Sequence, residues 1–282
     1  MKPAILLQTD FSLSWGAVAS MKGVMRQVDP QLDVVDLCHE IRTYDPWEAS
    51  LSLAAVEPYW PKGTIFVSVV DPGVGTARRA CAALLKDGNI IITPDNGTLT
   101  HMKIKPGIQE IREIDETINR FHPGEEVSVF HGRDLFGYCA ARLASGIISF
   151  AEVGPEYPVD ETVMAEEYFL HPSYEDGVWS AVLMTGLRHF GGVELNISNR
   201  EWEAHRYPFG TMFQVEIYQE GKLVMDETIP YVQTFGDVKE GMPLLYRGSS
   251  SYLSLDCNQA SFMDRYHVDF GKAWTVIIRE AV

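Results

Sequence analysis

The stretch Thr64-Ile65-Phe66-Val67-Ser68-Val69-Val70-Asp71-Pro72-Gly73-Val74-Gly75-Thr76 decides how the first half of this chain is read. Its first seven residues are dominated by β-branched and aromatic side chains and run straight into Asp-Pro-Gly. That is the pattern of a buried strand ending in a turn. Upstream, residues 4–7 and 32–37 have the same apolar character, and residues 16–28 and 45–56 between them read as helices. The second helix has an N-cap in Asp45 and a proline, Pro46, where the first turn tolerates one. Strand, helix, strand, helix, strand predicts a largely parallel sheet with helices on its faces. Residues 80–85, 90–93 and 127–130 add further expected strands.

Near Val153 the character changes to Gly154-Pro155-Glu156-Tyr157-Pro158-Val159-Asp160-Glu161, and acidic, proline-bearing sequence continues to Gly177. We read residues 1–160 as an α/β domain, 161–176 as a linker and 177–282 as a second domain. In the latter, strand-like segments at 177–184, 192–197, 211–218, 244–246, 252–255 and 273–278 follow one another without a long helical period. The expected fold class is therefore α/β: an N-terminal, Rossmann-like, largely parallel sheet with flanking helices, plus a smaller C-terminal β domain of barrel or sandwich type.

Composition narrows the partners. The 282 residues carry 23 Lys plus Arg against 39 Asp plus Glu, a formal charge of 23 − 39 = −16. A nonspecific nucleic-acid binder neutralises phosphates with basic side chains, so this balance excludes that class and argues against docking on an anionic membrane. No apolar run approaches the roughly 18 residues of a membrane span, and the amino-terminal run turns polar too soon for a signal peptide. Cys38, Cys81, Cys139 and Cys257 are widely separated and form no C-x-x-C. They suit a reducing, cytoplasmic setting.

Ligands of a parallel sheet bind beyond the carboxyl ends of its strands. The residues just past the expected strands are Thr9-Asp10, Asp71 to Thr76, Pro94-Asp95-Asn96-Gly97 and His131-Gly132-Arg133-Asp134. Singly each has an ordinary use: Asp10 or Asp71 as a cap or turn residue, Asp95-Asn96-Gly97 as a tight turn, His131 as a structural histidine. Together they predict a polar site at one sheet edge. Familiar motifs do not claim it. Gly73-Val74-Gly75 lacks the third glycine of a dinucleotide fingerprint, residues 186–192 lack the Lys-Ser or Lys-Thr of a P-loop, and neither H-E-x-x-H nor G-x-S-x-G occurs. No cysteine spacing suits zinc, so no metal is expected.

Thr9-Asp10-Phe11, Met21-Lys22-Gly23-Val24, Val69 to Arg78, Pro94-Asp95-Asn96-Gly97 and Phe130-His131-Gly132-Arg133-Asp134 together resemble, in order, the S-adenosylmethionine hydroxide adenosyltransferases, relatives of fluorinase and chlorinase. The resemblance covers the first domain and continues more weakly through Thr234-Phe235-Gly236-Asp237 and residues 252–258. It implies attack of water or hydroxide on the 5′ carbon of S-adenosylmethionine, giving adenosine and methionine without a cofactor. It assigns the catalytic triad to Asp71, Arg78 and His131, the ribose hydroxyls to Asp10, and further substrate contacts to Tyr44, Asp95, Asn96, Phe130, Phe235 and Asn258. It also implies a homotrimer with sites completed by neighbouring subunits.

The chain departs from that family at several positions. Trp15 stands where a second Asp is usual, and Leu187-Arg188-His189-Phe190-Gly191-Gly192 replaces a pattern of Asp, Phe, Gly and Asn. Ser250 and Cys257 stand where the halogenating relatives have arginines. Recognition of the methionyl and adenine ends then falls to other residues, such as Glu194, Asn196 or Asn258, or the substrate is another 5′-substituted nucleoside. A non-catalytic sensor of an adenosine-like ligand is the alternative from outside enzymology.

Overall fold

The computed structural model describes residues 2–122, 129–187 and 189–281. The chain divides into two compact units, Met1–Ala165 and Glu166–Val282.

In the first unit the strands are β1 (Ile5–Thr9), β2 (Val34–Cys38), β3 (Ile65–Val69), β4 (Ala80–Leu85), β5 (Ile90–Pro94) and β6 (Ile108–Glu113). They form one sheet in the order β2-β1-β3-β5-β4-β6. β1 pairs in parallel with β2 and β3, and β3 with β5. β4 is antiparallel to both of its neighbours. β1 and β3 are buried along their whole length, as strands covered on both faces must be. Period two divides their side chains: Ile5, Leu7, Val67 and Val69 join one core with α1 (Ala17–Val28), while Leu6 and Phe66 join another with Leu53 of α2 (Pro46–Val56). Asp45 caps α2 as expected, accepting the Glu48 N–H at 2.9 Å, with Pro46 in the first turn.

Further helical segments escape the periodicity reading: α3 (Thr100–Ile104), α4 (Glu116–Asn119), and a π-helical turn, Gly132–Gly137, that continues into α5 (Tyr138–Ala144). Of the strand expected over 127–130, residues 127 and 128 lie outside the described residues, and Val129 and Phe130 have no regular structure. His131 therefore opens a helix in place of following a strand. The turn and α5 lie against α1: Leu135, Phe136, Cys139 and Ala140 share a core with Val18, Met21 and Met25.

The second unit contains β7 (Ser173–Glu175), β8 (Val178–Leu187), β9 (Gly192–Ser198), β10 (Met212–Gln219), β11 (Lys222–Pro230), β12 (Pro243–Arg247), β13 (Tyr252–Cys257) and β14 (Trp274–Glu280), with short helices α6 (Asn199–Ala204) and α7 (Phe262–Tyr266). The sheet order is β11-β10-β14-β8-β9-β13-β12, with β7 beside β8. Its outer strands meet where Val232 N–H donates to the Leu245 carbonyl at 2.9 Å. The result is a nearly closed barrel-like sheet around Leu183, Leu195, Trp202, Val215, Leu245 and Val276. β10 and β11 turn through Glu220-Gly221, both at positive φ (48° and 79°), which matches strand twist in a two-residue hairpin.

Candidate active site

The parallel strands bring the predicted residues to one edge. Asp10 follows β1, Asp71 follows β3, and Asn96 follows β5, where its Nδ2 donates to the Val70 carbonyl at 2.9 Å. Arg78 reaches the same edge because β4 runs the opposite way, so its amino end starts where the other strands finish. The 71–78 loop is drawn tight: Val74 N–H donates to the Asp71 carbonyl, and a Cβ on Gly73 would lie 3.0 Å from Arg78 Cγ.

Asp71, Arg78 and His131 form one connected group. Arg78 Nε donates to both Asp71 oxygens at 2.9 and 3.1 Å, and Nη2 donates to Oδ2 at 2.5 Å. The same Nη2 lies 2.8 Å from His131 Nδ1. A guanidinium has donors and no acceptor, so Nδ1 accepts and the neutral ring carries its proton on Nε2. Burial, with the Arg78 and Arg120 charges behind it, pushes the imidazole below its ordinary range, against a weaker pull from Glu116 and Asp71. The Arg78 guanidinium also sits 5.3 Å from the centroid of the buried Phe136 ring. Phe136 has no signature in sequence, since only the π turn carries it under Arg78.

Asp10 is half-buried, and its Oδ2 accepts the Tyr44 N–H at 3.0 Å. Burial raises its carboxyl above the ordinary range; the Tyr44 N–H opposes that, and the Asp71 charge adds to it. Tyr44 holds this position at φ 66°, and its side chain is exposed. Phe11 and Phe130 pack edge to face at 5.6 Å. Of the remaining expected residues, Asp95 is buried and engaged: it accepts from Tyr157 Oη at 3.1 Å and Val163 N–H at 2.9 Å, and Arg79 lies 3.5 Å away. Arg133 and Asp134 pair with each other, so the guanidinium of the cluster is Arg78. Among the described residues no group of three or more His, Cys, Asp or Glu side chains is placed to hold a metal ion.

In the second unit, Phe235 packs against Tyr246 with centroids 4.9 Å apart, and Asn258 Nδ2 donates to the Val238 carbonyl at 2.9 Å. Asn196 is spent on backbone, accepting from Val182 N–H and donating to the Leu170 carbonyl. Glu194 and Asp256 are both buried on neighbouring strands, the first bonded by Ser250 Oγ, the second by its neighbour Cys257 N–H at 2.8 Å. Desolvation raises both carboxyls, Asp256 to about 6. Gly192 leaves no room for a larger residue, because a Cβ there would meet Asp256 Oδ2 at 2.4 Å. Cys257 is a free, buried thiol pushed up to about 11 by desolvation. Arg188 lies outside the described residues.

The chain is similar to several known proteins over most of its length. An (R)-S-adenosyl-L-methionine hydrolase of Salinispora tropica is 34% identical over 257 residues, covering 91% of this chain and 90% of its own length. A fluorinase of an Actinoplanes species is 29% identical over 301 aligned positions, covering 97% of each. A crystal structure of an uncharacterized conserved protein from Thermotoga maritima superposes with a TM-score of 0.84 at 26% identity, covering 98% of this chain and 100% of that one. The family model for the SAM hydroxide adenosyltransferase N-terminal domain matches residues 5–154, and that for the C-terminal domain matches residues 188–275. By these matches, and with Asp71, Arg78 and His131 joined at the sheet edge, the chain belongs to the S-adenosylmethionine hydroxide adenosyltransferase family.

Proposed function

We propose that this protein is an enzyme that hydrolyses S-adenosylmethionine to adenosine and methionine by attack of water or hydroxide on the 5′ carbon. The observation that carries this reading is the Asp71–Arg78–His131 group, in which Arg78 occupies His131 Nδ1 and leaves Nε2–H to face a nucleophile. His131 then acts as a donor that aims the oxygen lone pair, and Arg78 favours the hydroxide form by its charge. Asp71 holds the guanidinium through two parallel contacts. The new bond joins oxygen to the 5′ carbon, the carbon–sulfur bond breaks with its electron pair moving to sulfur, and the nucleophile's proton passes to solvent. The sulfonium leaves as a neutral thioether, so the reaction asks for placement and desolvation and needs neither an acid at the leaving group nor a cofactor.

Asp10, ionised, accepts from the two ribose hydroxyls. Tyr44, Asn96 and Phe130 line the same edge in this reading, Asp95 supports it from below, and Phe235 and Asn258 are the further substrate contacts that the family resemblance implies. We further propose a homotrimer and a cytoplasmic setting, the latter supported by four free cysteines. Among the described residues no helix is long and apolar enough to cross a membrane.

The decisive experiment incubates purified protein with S-adenosylmethionine in H₂¹⁸O. Adenosine carrying one ¹⁸O at the 5′ hydroxyl, and methionine in equal amount, is the expected result. Label absent from the nucleoside, or turnover unchanged in His131→Ala and Asp71→Ala, overturns the mechanism. A second reading, hydrolysis of another 5′-substituted nucleoside, is favoured by the buried Glu194 and Asp256 beside Gly192 and Ser250. It predicts faster turnover of a 5′-sulfonium adenosine with a different side chain on sulfur, which also leaves as a neutral thioether, than of S-adenosylmethionine.

A further inference from the structure

Asp10 sits in a pinched segment, and the pinch closes through one buried hydroxyl. β1 and β2 run in parallel with Gln8 beside Cys38, so Thr9 and Asp10 leave the sheet next to His39. Thr9 Oγ1 accepts the Phe11 N–H at 3.1 Å, which folds the chain around Asp10. The same oxygen lies 2.9 Å from His39 Nδ1, and His39 Nε2 lies 2.9 Å from Asp36 Oδ1. Lys22 of α1 fixes the far end by donating to Asp36 at 2.7 Å. The His39 main chain grips the segment a second time, its carbonyl accepting the Ser12 N–H at 2.8 Å where Ser12 is held at φ 58°. Thr9 and His39 are both buried.

The direction of each bond follows from the partners. An ionised carboxylate only accepts, so Nε2 carries a proton for Asp36; the Thr9 oxygen already takes an N–H, and its own proton goes to Nδ1. Carboxylate, imidazole and hydroxyl stand in the order of a nucleophilic triad. Here the hydroxyl is buried and spent on the backbone, and both ring nitrogens are spent as well, so the group neither attacks a substrate nor moves a proton on one. What it fixes is the rotamer of Thr9 and, through the Phe11 N–H, the direction of the Asp10 side chain, whose Oδ2 takes the Tyr44 N–H at 3.0 Å. We propose that His39 is a positioning residue that aims the Asp10 carboxylate at the two ribose hydroxyls of the substrate by holding the Thr9 hydroxyl. This rests on the reading of Asp10 as the ribose acceptor. A carboxylate that accepts from two adjacent hydroxyls works only if it is held to within about 0.5 Å, and a locked supporting rotamer supplies that precision.

Calorimetric titration of the full-length protein with adenosine and with 2′,3′-dideoxyadenosine tests it, alongside kinetics with S-adenosylmethionine. The parent is expected to prefer adenosine by about tenfold or more, and Asp10→Ala to lose that preference. His39→Ala should weaken adenosine about tenfold, leave 2′,3′-dideoxyadenosine within about twofold, and raise KM with a much smaller change in kcat. His39→Asn keeps an acceptor at the Nδ1 position and should restore adenosine binding to within about threefold of the parent, whereas His39→Gln keeps only the group facing Asp36 and should not. In the Asp10→Ala background, His39→Ala should weaken adenosine no further. Thr9→Val removes the same hydroxyl at nearly constant shape and should repeat the His39→Ala pattern, which keeps the test open if His39→Ala does not fold. Equal losses for the two nucleosides in His39→Ala and Thr9→Val, adenosine affinity unchanged in both, or a His39→Ala effect that adds in full to Asp10→Ala overturns the proposal and leaves Asp10 standing. A parent that binds the two nucleosides alike defeats the Asp10 reading itself, and the role of His39 falls with it.

Discussion

At His131 the decisive contact is a guanidinium that can only donate. Because Arg78 Nη2 is 2.8 Å from Nδ1, protonating that nitrogen sets two positive N–H groups against each other. The ring is therefore neutral. Its proton affinity is lowered chiefly by burial and next by Arg78. The rate should accordingly fall on the acid side with a limb below the ordinary 6.5 of imidazole, and Arg78→Ala should move that limb upward while lowering kcat by about 10²-fold. A pH–rate profile of the two proteins checks both statements. The stability contribution has the same sign: it is present above 6.5 and is lost as pH falls through the folded-state value. Asp10, Asp71, Asn96 and His131 were visible in the sequence because each stands just past an apolar run or in a recognisable motif. The tautomer of His131 was not, since it depends on which atom of a residue 53 positions away reaches the ring.

At the scale of elements, the edge opposite the site carries a different burden. Glu57, next to α2, is buried and accepts from Asn89 Nδ2 at 2.5 Å, while Asn89 Oδ1 takes the Thr64 N–H just before β3. Burial, and then a hydrogen bond shared with Asp87, push the Glu57 carboxyl up to about 7 from 4.5. A carboxyl raised in the folded state keeps a proton that the unfolded chain has released. Stability from this group therefore declines as pH rises from about 4.5 to about 7 and is level beyond. Glu57→Gln keeps the shape and should abolish that slope, stabilising the protein by about 1–2 kcal/mol at pH 8, as read by denaturant melts at pH 5 and pH 8. β1, β3, α1 and α2 were readable from period and caps. β6, β11 and the π turn were not, because their packing against neighbours outweighs a weak local pattern.

At the scale of the whole molecule, each chain brings a charge of −16, and like charges oppose the proposed trimer. Salt shortens the screening length to about 10 Å at 0.1 M, so light scattering at several protein concentrations should show a trimer that tightens as salt rises from 0.02 to about 0.3 M. A monomer at all of these concentrations would remove the proposal. The same surplus attracts a cationic sulfonium, and kcat/KM should fall over that salt range. The sequence by itself determined the alternation of strand and helix, the surplus of negative charge and the family, because these rest on local pattern, composition and short motifs. Only the tertiary structure decided that β4 runs against its sheet and so delivers Arg78 to Asp71, that Phe136 lies beneath the guanidinium, and that Asp95 is consumed by Tyr157 and Val163. Those outcomes turn on strand direction and side-chain reach across tens of residues, which packing sets and local sequence does not.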